Sequence, residues 1–278
     1  MPQIFRDWYH KTYHDYPGSN SNLISWIAWI IIFAVPAFLT LGTRSFLHPS
    51  GFDFEHPKTE FRKEIIALAE SSSDNRMYST IGHVNQQFGE ISRIPIVSSQ
   101  GVDNNFDGVI EEYQIEMNLH TTPADLRSLT IMMFFDYMLD DVINLNMISM
   151  AYVRITTPYG ASEINTHGRL NLKQKNPLKI YAFPYEDNKD MLFEVGTEEN
   201  LSVANILKDY NRRNETTTYD YVSDITPPLP GGNSVKFSAL IQIPTDEKIR
   251  FIPGNMALFK KFFIQYLGIW FIIFVFAA

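Results

Sequence analysis

Cysteine is absent from all 278 residues, which excludes a disulfide scaffold, thiolate metal centres, CxxC redox chemistry and a cysteine nucleophile. Charge is sparse: Asp, Glu, Lys and Arg together make up 19% of the chain, and the formal net charge is -8. Basic residues are the scarcer sign, so the surface is poorly suited to neutralising phosphates and nucleic acid is not an expected partner. The usual catalytic signatures are missing too. There is no GxSxG elbow, no HExxH, no Walker GxxxxGK and no GxGxxG. The histidines at 10, 14, 48, 56, 83, 120 and 167 are scattered without metal-ligand spacing. Asp140-Asp141 reads as solvated loop charge, because adjacent strand residues point to opposite faces. No catalytic residue is assigned, and the chain is not read as an enzyme.

The sequence is instead rich in apolar residues, 45% hydrophobic and 14% aromatic, which is enough to fold, and its length suits one sizeable domain with appended segments as well as two domains. The apolar residues are segregated. Leu23 to Thr43 (LISWIAWIIIFAVPAFLTLGT) carries no charge, and its length as a helix matches a hydrocarbon core about 30 Å thick. Trp26 and Trp29 suit an interface, Arg44 marks the other edge, and Pro36 removes one backbone donor in mid-helix. A signal peptide is the alternative, but some twenty mixed residues precede the run where a short basic start belongs. The second run, Phe262 to Ala278, follows Lys260 and Lys261 and has no polar side to show water. It reaches only about 25 Å as helix, so the helix is expected to begin earlier, at Met256, or to continue past Ala278.

Two spans place both termini on one side of the bilayer and the long middle segment on the other. The expected organisation is a short cytosolic arm over 1–22, a first transmembrane helix over 23–43, an exoplasmic domain over 44–261 and a second transmembrane helix over 262–278. Charge does not settle the orientation, since long segments translocate largely regardless of it. The sequons at Asn200 and Asn214 both lie in the middle segment and suit a lumenal or extracellular placement, with glycans on those two residues. Neither span carries an ionisable residue, which argues against a transporter or pump made by this chain alone.

The middle segment reads as mainly β. Val109 to Leu119 alternates, with Tyr113, Ile115, Met117 and Leu119 on one face, and Val235 to Ile243 does the same before Pro244. Leu129 to Leu139 and Met147 to Ile155 are denser and suit strands covered on both faces. Leu170 and Leu172 alternate with polar residues, and Phe61 to Leu68 and Arg93 to Val97 are further strands. Turn residues punctuate these runs at the spacing of an antiparallel β-sandwich. One helix is expected, over Val203 to Arg212, with Ser202 as its N-cap.

The sharpest local motif is DxNxDGxxE over Asp103 to Glu111. Oxygens at alternating positions around a tight turn converge on one point, as a structural Ca2+ requires: Asp103, Asn105, Asp107, the Val109 carbonyl and Glu111, with Gly108 permitting the turn. The position of the closing EF-hand glutamate is Gln114, so this is a calcium-like loop between strands rather than an EF-hand. The plain alternative is an Asx-rich turn whose side chains cap their own backbone.

Several stretches in order resemble the transmembrane protein 231 family: Arg93 to Ser98 (RIPIVS), the Asp103 to Glu111 loop, Ser149-Met150-Ala151, Leu170 to Leu178 (LNLKQKNPL), Tyr210 with Arg213 to Thr217, and Gln265-Tyr266. The resemblance runs nearly end to end. It implies a two-span protein with cytosolic termini and an exoplasmic β domain, a scaffold of the ciliary transition zone. Its implied partners are tectonic-like and Meckel-syndrome-type membrane proteins in the barrier that controls entry into the cilium. An accessory subunit of a transporter or other multi-subunit membrane complex shares the same outline and is the alternative.

Overall fold

The computed structural model describes residues 19–43, 50–72, 75–89, 92–179, 202–228 and 231–277. They form two compact units, one built from the helices near the two ends of the chain and one spanning Ser50–Ile252.

In the first unit, α1 (Asn20–Thr43) and α4 (Asn255–Ala277) are each long and apolar enough to cross a membrane. Helix α4 gains the missing length at its start, so Lys260 and Lys261 lie inside it rather than before it. The two helices pack on each other through rings: Phe33 of α1 stacks on Trp270 of α4 with centroids 6.0 Å apart, and within α1 Trp29 stacks on Phe33 at 6.1 Å. The Tyr266 hydroxyl donates to the Phe33 carbonyl at 3.4 Å. Pro36 cannot donate to the preceding turn, and one turn on the Thr40 hydroxyl donates to the Pro36 carbonyl at 3.0 Å.

The second unit is a sandwich of two five-stranded sheets. Its strands are β1 (Gly51–Glu55), β2 (Lys58–Ser71), β3 (Arg76–Ser79), β4 (Ser92–Arg93), β5 (Ile96–Val102), β6 (Glu112–Leu119), β7 (Leu126–Leu139), β8 (Leu145–Thr156), β9 (Glu163–Gln174), β10 (Leu178–Lys179), β11 (Glu215–Thr226), β12 (Val235–Gln242) and β13 (Glu247–Ile252). One sheet runs β11-β9-β12-β6-β5 and the other β4-β3-β2-β7-β8, while β1-β13-β10 form a small third sheet. Most pairings are antiparallel; β12 with β9, β3 with β4 and β10 with β13 run parallel.

The main core lies between the two large sheets. From one come Ile115, Met117, Phe237 and Ile241, and from the other Ile65, Ile131, Met133 and Phe135, all fully buried. These are the inward positions of the alternating runs. The dense β7 is covered on both faces as its composition requires: Met132 and Phe134 point away from the main core into a second cluster beneath two helices. One is the expected α3 (Val203–Arg212), whose Ser202 side chain accepts the Asn205 N–H at 3.3 Å. The other, α2 (Gly82–Phe88), was not expected; its seven residues carry too few apolar positions to show a helical period. Strand β11 is likewise missing from the sequence reading, because ETTTYDYVSDIT is too polar to announce itself. The expected strand over Arg93 to Val97 is broken at Ile94-Pro95 into β4 and β5.

A bulge in β2 takes Arg62, Lys63 and Glu64 out of register with β7, and Lys63 adopts φ 59°. The Thr80 hydroxyl donates to the Lys63 carbonyl at 2.9 Å and accepts the Ile65 N–H at 2.8 Å, satisfying the displaced backbone. Arg62 spans Glu64 and Asp136, each at 2.9 Å.

Candidate functional site

The DxNxDGxxE motif forms the connection between β5 and β6. Its side chains converge, and each is engaged by the loop itself. Asp103 accepts the N–H groups of Phe106 at 2.7 Å and Gly108 at 2.9 Å, one on each carboxylate oxygen. Asn105 Oδ1 accepts the Asp107 N–H at 2.9 Å, and Asp107 accepts the Val109 N–H at 2.7 Å. Glu111 accepts the Asn104 N–H at 3.2 Å. The Asn105 amide nitrogen bridges Asp107 at 2.9 Å and Glu111 at 2.8 Å, standing where two acidic oxygens meet. Positive φ at Phe106 (61°) and Gly108 (87°) makes the reversal.

This backbone capping, with the Val109 N–H foremost, holds the Asp107 carboxyl below its ordinary range. The donor types suit a hard cation, three carboxylates and one amide oxygen on a single loop, but among the described residues no group of three or more His, Cys, Asp or Glu side chains is placed to hold a metal ion. The orientation of Asn105 does not, because its NH2 rather than its oxygen faces Asp107 and Glu111. Reversing that amide is the one local change that cation binding asks of Asn105.

Of the two sequons, Asn200 lies outside the described residues. Asn214 is half-buried at the start of β11, where its Oδ1 accepts the Asn176 N–H at 2.9 Å and its Nδ2 donates to Glu215. Thr216 is buried.

The outer face of the β11-β9-β12-β6-β5 sheet is polar. Ser98, Gln100, Gln114, Glu116, His167 and Leu240 line a shallow depression of about 400 Å³. At its rim, β5 is an edge strand with no charged side chain; its first residue Ile96 stands 65% exposed, and Ile94 just before it 74%. The opposite edge of this sheet is closed. From β11, the Tyr221 hydroxyl donates to the Arg154 carbonyl of β8 at 2.8 Å and accepts the Arg154 N–H at 3.1 Å. Sequence reasoning had no signal for this closure, nor for the buried carboxylates Glu55 and Glu247, which lie in strands too short and mixed to read.

The family described as Transmembrane protein 231 matches residues 1–278. The chain belongs to the transmembrane protein 231 family. Relatives named Transmembrane protein 231 include one from Xenopus tropicalis, 25% identical over 90% of this chain and 82% of its own length. The Homo sapiens relative is 26% identical over 96% of this chain and 86% of its own, and that of Mus musculus 26% identical over 77% and 70%. The family expectation from the RIPIVS, loop and LNLKQKNPL stretches is therefore met. A cryo-EM structure of a proton-activated chloride channel aligns over 91% of this chain and 98% of that one, at 13% identity and a TM-score of 0.26, too low to support a shared architecture. The protein is a membrane protein with two candidate spans, in a family named as a transmembrane protein and not for a reaction.

Proposed function

We propose that this chain is a structural membrane protein of the ciliary transition zone. In this reading it crosses the bilayer twice, keeps its termini in the cytosol and presents the β domain on the exoplasmic face. The domain contributes to the diffusion barrier by binding other membrane proteins, of the tectonic-like and Meckel-syndrome-type classes. The observation that carries the reading is the family match over the full chain, joined to a β domain bracketed in sequence by two apolar helices.

The chemistry this requires is recognition. Sheet edges and polar faces supply specificity, while the apolar helix surfaces associate by shape. The uncharged β5 edge and the adjoining depression are the surfaces best suited to it. Calcium in the Asp103 to Glu111 loop would be structural, tying the β5–β6 connection.

Localisation of a tagged full chain tests the proposal. A ring at the cilium base supports it; uniform plasma-membrane, endoplasmic-reticulum or mitochondrial signal overturns it. Ile96→Lys with Ser98→Lys should reduce recovery of partner membrane proteins while leaving the domain folded. Recovery of multi-span transport machinery in place of transition-zone proteins would favour an accessory subunit.

A further inference from the structure

Two glutamates face each other where the small sheet meets the sandwich. Glu55 in β1 and Glu247 in β13 are direct register partners, so their side chains leave the ladder on the same face. That face is inward: Glu55 is 3% exposed and Glu247 8%. Acidic side chains are rarely buried unless paired, and like charges directly opposite each other in a sheet destabilise it.

Their satisfaction is unequal. Glu55 accepts the N–H of Asp141 at 2.7 Å and that of Val142 at 3.2 Å, one on each oxygen. Among the described residues, Glu247 accepts only the Leu172 N–H of β9, at 3.1 Å. Beside the pair lies Tyr137 of β7, wholly buried, with a hydroxyl that has no hydrogen-bond partner among the described residues. The Tyr137 phenol is pushed well up, first by burial and then by the Glu247 and Glu55 charges, which places it within their field. From β9 the Arg169 charge also acts on Glu247. The titratable groups about Glu247 are Glu55 of β1, its register partner, Tyr137 of β7, on which its charge acts, and Arg169 of β9, whose charge acts on it.

We propose that Glu247 is a proton-operated latch, which when protonated seats β1 and β13 on the sandwich and when ionised opposes Glu55 and loosens them. Burial supports this by raising the Glu247 carboxyl to about 7, against weaker pulls from the Leu172 N–H and Arg169. The small sheet is held below that pH and loosened above it. The latch is a property of the chain's own fold and is independent of the ciliary assignment.

The test is hydrogen–deuterium exchange on the full chain in lipid nanodiscs, following peptides over 51–55 and 247–252 from pH 6 to 8 after correction for intrinsic exchange. In the wild type, protection of these peptides should fall about tenfold across that range and level off above it, with β6 and β12 unchanged. Glu247→Gln should keep the low-pH protection throughout. Tyr137→Phe, which removes the nearest hydroxyl able to turn toward an ionised carboxylate, should move the midpoint to higher pH. Flat protection in the wild type, or an unchanged fall in Glu247→Gln, overturns the proposal. Should Glu247→Gln not fold, carbon-13 titration of the wild-type glutamate carboxyls decides: a midpoint near 7 supports it, and all midpoints below 5 overturn it.

Discussion

The Tyr210 hydroxyl accepts the backbone N–H of Thr217 at 2.7 Å, tying the last turn of α3 to β11. The same oxygen accepts the Met150 N–H of β8 at 3.1 Å and lies 2.9 Å from the Thr217 hydroxyl, which in turn donates to the Met150 carbonyl at 3.1 Å. One phenol thus joins a helix, an edge of each large sheet and the second core cluster. Burial pushes this phenol up, so it remains a neutral donor at any physiological pH.

Removing that oxygen strands the buried Thr217 N–H, while the Met150 N–H keeps the Thr217 hydroxyl at 3.1 Å. Tyr210→Phe should cost about 1–3 kcal/mol, the penalty for buried polar groups left unpaired, and lower the thermal midpoint. Tyr221→Phe loses a comparable bridge to Arg154 at a more exposed position and should cost less. Thermal melts of the two variants side by side check the order.

Gly168 sits in β9 between β11 and β12, where an added Cβ would lie 2.2 Å from the Asp220 carbonyl oxygen and 2.7 Å from the Tyr221 Cα. Both are backbone atoms and cannot rotate aside. Gly168→Ala should therefore destabilise by about 1–3 kcal/mol or more and disturb the β9–β11 pairing. Amide exchange over residues 215–226 should increase, while β6 keeps its protection. Gly231→Ala, with nothing near the added carbon, serves as the contrast on space, although its φ of 85° adds backbone strain of its own.

Asp103 carries two backbone N–H groups, so Asp103→Ala should loosen the β5–β6 connection and speed proteolysis there. The calcium proposal makes a separate demand. Millimolar calcium should raise the thermal midpoint of the wild type, and Asp107→Asn should lose much of that rise. A midpoint that ignores calcium in the wild type means that the Asn105 amide is the loop's own bridge between Asp107 and Glu111.

Glu247 also sets a direction for stability against pH. Its folded value of about 7 lies above the ordinary carboxyl value of 4.5, so the folded chain holds a proton that the unfolded chain releases. Its contribution is fully present below pH 4.5, declines as pH rises toward 7, and is gone above that. At about 1.36 kcal/mol per pH unit the loss is on the order of 3 kcal/mol. Glu247→Gln should match the wild type in acid and exceed it at pH 8, as denaturant melts at the two pH values would show.

Residues that repeat with a strong period were legible before any fold was known. Tyr113 to Leu119 and Val235 to Ile241 alternate because each strand has one face in the core, and Phe134 breaks the alternation of β7 because α2 and α3 cover its other side. The calcium-like loop was legible as a set of residues on one turn. What it does with them was not, since the direction of the Asn105 amide depends on which neighbours close around it. The polar β11 was invisible for a related reason: Thr217, Tyr219 and Tyr221 bond to partners 67, 21 and 67 residues away, and local composition carries no trace of those.

The sequence by itself determined the division into two apolar helices and a β domain, the inward faces of its regular strands and the N-cap at Ser202, because these follow from hydrophobic period and local hydrogen-bonding chemistry. Only the tertiary structure decided that Glu55 meets Glu247, that Tyr137 is buried beside them, and that Tyr210 and Tyr221 join the edges of β8 and β11. Those contacts are set by strand register across long separations, and a chain read one residue after another does not contain the register.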